Sequence, residues 1–94
     1  MIGPFEELVL LTLRRAPSYG TALALDLTAR LGRPVSKWAA LSTLQRLAVR
    51  GLVASTRTEP RPVIGGRRRR LFSITPAGEA ELLAANRDRR LVGA

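Results

Sequence analysis

Helix-breaking residues divide this chain more firmly than any other feature. Ala16-Pro17, Gly32-Arg33-Pro34 and Gly51 each close a segment with helical patterning, and Thr75-Pro76 opens another. Proline disfavours helical geometry in the residue before it, and glycine readily takes the left-handed turn that ends a helix. The 94 residues must therefore fold as several short elements around one core, and residues 1–94 are expected to form one domain.

Each segment has its own signature. Gly3-Pro4 opens the first, where Phe5, Leu8, Val9 and Leu13 recur at helical spacing with Thr12 on the same stripe. Leu10 and Leu11 lie off that stripe, so this helix is apolar around most of its circumference. Such a helix is buried on more than one side, one against its own core and another against a second copy. Ser18 is the expected N-cap of a second helix containing Tyr19, Leu23, Leu25, Leu27 and Leu31. Ser36 is the expected N-cap of a third, running to about Arg50 with Ala40, Leu41, Leu44, Leu47 and Ala48 as its apolar stripe. Lys37, Ser42, Thr43, Gln45, Arg46 and Arg50 cover its remainder.

The pattern then changes from helix to strand. Leu52 to Thr58 is rich in β-branched and small residues, and Glu59 to Gly66 reads as a loop. Arg67 to Arg70 leads into a second strand, Leu71 to Thr75, with Phe72 and Ile74 on one face. Thr75 caps a final helix, Pro76 to Val92, whose seam is Ala80, Leu83, Ala84 and Leu91. Three helices, a hairpin and a last helix give a mostly α fold with a small β-hairpin (α+β). This is the winged helix-turn-helix order: helix, helix, helix, strand, wing, strand, helix.

Composition excludes most chemistry. The chain has no His and no Cys, so it offers no imidazole base, no thiol nucleophile and no common zinc site. Glu6 and Glu7 are adjacent, diverge by about 100° on a helix and cannot share a proton; they favour the first turn through the helix dipole. No catalytic residue, cofactor or metal site is expected. Leu8 to Leu13 is far too short to span a bilayer and the N-terminus does not resemble a signal peptide, so a cytoplasmic protein is expected.

The formal net charge is +9, and all but one of the 16 cationic residues are Arg, Lys37 being the exception. Arginine's planar fork suits phosphates and guanine edges, although a G+C-rich coding sequence also favours arginine codons. Placement decides between the two. Gly65-Gly66-Arg67-Arg68-Arg69-Arg70 falls between two strands, where the glycines permit a tight turn and the arginines repel one another until an anion arrives. Candidate DNA contacts are thus Gly66, Arg67, Arg68, Arg69 and Arg70 on the wing. Ser36, Lys37, Ser42, Thr43 and Arg46 join them from the third helix. Tyr19 stands at a helix start that could hold a phosphate, or simply packs. Trp38 reads as a packed anchor, with a base-stacking platform and a ligand pocket between subunits as alternatives. RNA is also compatible with the charge, but one Trp, one Tyr and two Phe leave little for stacking on single strands.

The ordered set of short motifs resembles the PadR family of bacterial transcriptional regulators. The residues that carry the resemblance are Phe5-Glu6-Glu7-Leu8-Val9-Leu10-Leu11, Tyr19-Gly20, Gly32-Arg33-Pro34-Val35-Ser36, Thr43-Leu44-Gln45-Arg46-Leu47, Arg50-Gly51-Leu52-Val53, Gly65-Gly66-Arg67-Arg68-Arg69 and Thr75-Pro76-Ala77-Gly78. The resemblance implies a winged helix-turn-helix, a homodimer held largely by terminal helices, and repression from a palindromic DNA operator. It points to the short class with one C-terminal helix. Two stretches depart from the pattern. Trp38-Ala39-Ala40-Leu41 replaces the family's Gly-Ala-Val-Tyr, and Leu71-Phe72 replaces its paired tyrosines.

The expected function is therefore sequence-specific binding of double-stranded DNA by a homodimeric regulator. Phe5, Leu8, Val9, Leu13, Leu83 and Leu91 are the candidate dimerisation residues. The alternative is a ligand-sensing or protein-interaction module on the same fold with DNA binding weakened or lost. Trp38 would then help to hold a small planar apolar effector.

Overall fold

A computed structural model describes residues 2–58 and 69–93. The elements in order are α1 (Pro4–Arg15), β1 (Ser18–Tyr19), α2 (Gly20–Leu31), α3 (Lys37–Val49), β2 (Val53–Thr58), β3 (Arg69–Ile74) and α4 (Pro76–Gly93). The winged-helix order is present, with one addition. The strands form a three-stranded antiparallel sheet in the order β1-β3-β2, not a two-stranded hairpin.

The boundaries follow from local chemistry. Gly3 precedes α1 and its amide donates to Glu6 Oε1 at 2.9 Å, so Glu6 satisfies a helix-start donor. α2 ends at Gly32, whose φ of 67° is the left-handed turn the sequence predicts there. Ser36 caps α3, its hydroxyl accepting from the Ala39 amide at 3.0 Å. α4 opens with Pro76 at its first position, and the Thr75 hydroxyl accepts from the Gly78 amide at 3.0 Å.

Ser18 differs from expectation. It does not cap α2 but pairs in β1 opposite Phe72 of β3, and Tyr19 precedes the helix with no side-chain cap. Two residues are held in an extended form by a strand far along the chain, which no local pattern encodes.

The core brings together Leu10, Leu13, Leu23, Leu27, Leu44 and Leu47, joined by Val9, Val53, Phe72 and Leu82. Burying one such leucine is worth roughly 1.5–3 kcal/mol. α1 lies at the centre, packed on α2, α3, α4 and β3. This corrects one expectation about dimerisation. Val9 and Leu13 are 0% and 2% exposed within the single chain, so its own core consumes both. The expected seam of α4 is also turned. Leu82 faces the core at 4% exposure, while Leu83 is 61% exposed and Ala80 and Ala84 face out. The Leu91 side chain lies outside the described residues.

Candidate nucleic-acid interface

The helix-turn-helix is held by one hydroxyl. Thr28 of α2 donates to the Ala24 carbonyl at 2.8 Å and accepts the Val35 amide at 2.9 Å. It thereby ties the residue before the α3 cap to the body of α2. Gly20 sets the opposite side of the same joint. A Cβ there would come within 2.7 Å of Leu41 Cδ2, so with any larger residue the Leu41 side chain would have to move for α2 and α3 to approach this closely. Leu41 is accordingly half-buried against α2.

α3 has two distinct sides. Ala40, Leu44 and Leu47 are fully buried and fix its orientation. Diametrically opposite, Trp38, Ser42, Gln45 and Val49 fall in one row at spacings of four, three and four residues. All four are exposed, Trp38 at 77% and Val49 at 89%. Lys37 and Arg46 flank this row on its two sides, and Ser36 stands at its start.

Arg46 is held by its own helix. Its guanidinium donates to Ser42 Oγ at 3.3 Å and to Thr43 Oγ1 at 3.1 Å. Thr43 is thereby corrected as a candidate contact. It is 2% exposed, on the core side, and serves as an anchor for Arg46. Helical periodicity already puts Thr43 on the face of Ala40 and Leu47, three residues before and four after it, which is the signal that assigns it inward. Tyr19 is half-buried at the junction of β1 and α2, opposite Leu71.

The wing ladder runs Val53↔Ile74, Ser55↔Phe72 and Arg57↔Arg70 on one face, because directly opposed residues share a face and alternate residues repeat it. The inner end of that face is core, with Val53 at 3% and Phe72 at 4%. At its outer end the core has run out, and the same face presents two exposed arginines. Arg57 is a candidate contact that reading the sequence alone overlooks, since it lies outside the arginine run; strand alternation and register together reveal it. Arg69 belongs to β3, opposite Thr58. Gly66, Arg67 and Arg68 lie outside the described residues.

Trp38 is not the packed anchor its type suggests, because at 77% exposure it holds nothing together. Two shallow depressions lie elsewhere on the described surface. One lies between the end of α1 and α2, at Arg15, Ser18, Asp26 and Arg30. The other is a groove of about 600 Å³ along α1 and α4, at Ile2, Leu8, Leu11 and Ala85. Among the described residues no cluster of His, Cys, Asp and Glu could hold a metal ion, and no helix is long and apolar enough to cross a membrane.

Comparison with known proteins agrees with this geometry. The model of the transcriptional regulator PadR-like family matches residues 9–84. Among solved structures, a PadR family transcriptional regulator from Eggerthella lenta is 28% identical, with a TM-score of 0.78 over 94% of this chain and 73% of that one. A PadR-like transcription factor from Bacteroides fragilis superimposes with a TM-score of 0.82 at 19% identity, over 95% of this chain and 82% of that one. A PadR family regulator from Clostridium difficile gives a TM-score of 0.75 at 21% identity, over 97% and 92% of the two chains. No curated protein matches the sequence. The family model spans both the helix-turn-helix and the wing strands, and the shared fold reaches nearly every described element. The chain belongs to the PadR-like family of transcriptional regulators, DNA-binding proteins rather than enzymes.

Proposed function

We propose that the protein is a repressor that binds a palindromic operator as a homodimer. α3 of each protomer enters a major groove, and the ladder of β2 and β3 lies along the neighbouring backbone. Ser36, Lys37, Ser42 and Arg46 are the contacts from α3, with Arg57 and Arg70 on the wing. Arg69 and, from the sequence, Gly66, Arg67 and Arg68 complete the set. Tyr19 belongs beside a phosphate at the start of α2.

The observation that carries this reading is the outward row of α3. The fold uses the opposite side of the helix and makes no demand on this one, which cations flank. A gel-shift series with the DNA upstream of its own gene tests it. Retarded duplex at low salt, with affinity falling steeply as salt rises, is the expected result. Absence of any shift at low salt defeats the reading.

The homodimer rests on apolar surface the single chain leaves uncovered. Phe5, Leu8 and Leu11 of α1 are only partly buried, Leu8 and Leu11 line the groove between α1 and α4 together with Glu7 and Asp88, and Leu83 is exposed on α4. Two chains sharing these surfaces would set their recognition helices about 34–36 Å apart, one turn of duplex.

The second reading, a ligand-sensing or protein-interaction module without DNA binding, draws on the exposed Trp38 and on Leu41, which has no hydroxyl to offer a phosphate. Quenching of Trp38 fluorescence by planar apolar compounds, with no duplex retarded, would favour it.

A further inference from the structure

We propose that α3 reads A·T base pairs, with Trp38 packing its ring on a thymine 5-methyl group and Gln45 hydrogen-bonding to an adenine. The inference rests on the DNA-binding reading above and names what the helix recognises once it is in the groove.

Trp38 carries the argument. A tryptophan buries more apolar area than almost any other side chain when it packs, yet this one is 77% exposed in the first turn of α3. In a recognition helix the N-terminal residues are those that reach base edges. The major groove offers one apolar feature, the thymine 5-methyl group; its other edges are hydrogen-bond donors and acceptors. A ring presented to that groove therefore gains most from thymine, whose methyl adds apolar area that no other base offers there.

Gln45 lies in the same exposed row, and its amide matches the N6 and N7 edge of adenine in a bidentate pair. Seven residues separate it from Trp38, about 10 Å along the helix, which corresponds to about three base-pair steps. Ser42 stands between them and tolerates either kind of edge.

Charge argues against a second copy of this chain as the occupant. A second copy of this chain also carries +9, and Lys37 and Arg46 flank the row, so a polyanion is favoured over another such surface.

The test uses the intact protein. Bound duplexes are selected from a randomised pool, and each thymine of the selected site is then replaced by deoxyuridine, which lacks only the methyl group. The expected sites carry A·T pairs in each half. Each methyl deletion should weaken binding about fourfold, the worth of burying a methyl group, so one in each half should weaken it about sixteenfold. Trp38→Ala should bind thymine and deoxyuridine duplexes equally while melting like the parent. Gln45→Ala should relax the choice of base at a second position within about three steps. If the parent tolerates deoxyuridine at every position, or if Trp38→Ala keeps the methyl penalty, the proposal is overturned although DNA binding stands. If no duplex is retained at any salt, the DNA-binding reading fails and this proposal with it.

Discussion

Arg57 of β2 lies directly opposite Arg70 of β3, and both side chains are exposed. Like charges at facing positions of an antiparallel pair oppose the strand pairing. The fold tolerates the pair at the outer end of a sheet whose inner end is fastened by Val53 and Phe72. A phosphate between the two guanidinium groups would turn that repulsion into attraction.

Replacing Arg57 by Ala should therefore move stability and binding in opposite directions. The free protein should gain roughly 0.2–1 kcal/mol, read by thermal melting at low salt. Its affinity for duplex should fall, and the salt slope should shrink by about 1. A variant that melts lower and keeps the parent slope would contradict the assignment of Arg57 to the interface.

Thr28→Val keeps the shape of the side chain and removes the hydroxyl. The Val35 amide then loses its partner at the entry to α3, a loss of about 1–3 kcal/mol for a poorly solvated donor. Denaturant unfolding should show this loss, and duplex affinity should fall because α3 is no longer pinned to α2. Unchanged stability would mean that Gly32 and the helix contacts fix the turn without Thr28.

At Gly78 two effects compete. Alanine gains about 0.5–1 kcal/mol of helix propensity over glycine. Its Cβ, however, would run into the Leu52 carbonyl oxygen and stand 2.7 Å from Ile74 Cγ1. The carbonyl is backbone, tied into the turn where Leu52 also accepts from the Thr75 amide at 3.1 Å, so it cannot swing aside. Overpacking of this kind costs about 1–3 kcal/mol and should win, giving a lower melting temperature for Gly78→Ala. A higher one would show that α4 can lift from the turn after α3 without penalty.

Leu83→Glu tests the assembly. The side chain is 61% exposed, so the folded chain should keep its stability per protomer. If α4 is part of a two-fold interface, sedimentation should show a monomer at concentrations where the parent is a dimer. A Leu83→Glu protein that remains dimeric would place the interface elsewhere.

Much of the fold was legible because its boundaries are local. Ser36, Gly32, Gly51 and Thr75-Pro76 act within a few residues of themselves, and the structure uses each where expected. What escaped was settled at a distance. Ser18 and Tyr19 become a strand only because Phe72 and Leu71 pair with them. Thr43 reads as a surface donor by residue type, but its place between the buried Ala40 and Leu47 turns it inward, where it serves Arg46. Trp38 reads as core by residue type, but its place opposite Ala40 and Leu44 turns it outward. On the wing, the arginine run was plain, whereas Arg57 needed the register before it could be seen as a partner of Arg70.

Hydroxyl-radical footprinting on a selected duplex tests the central claim most directly. A dimer using α3 and the wing should protect two symmetry-related patches on one face of the DNA, centred about 10–10.5 base pairs apart. A single unpaired patch, or uniform protection with no defined centre, would contradict it.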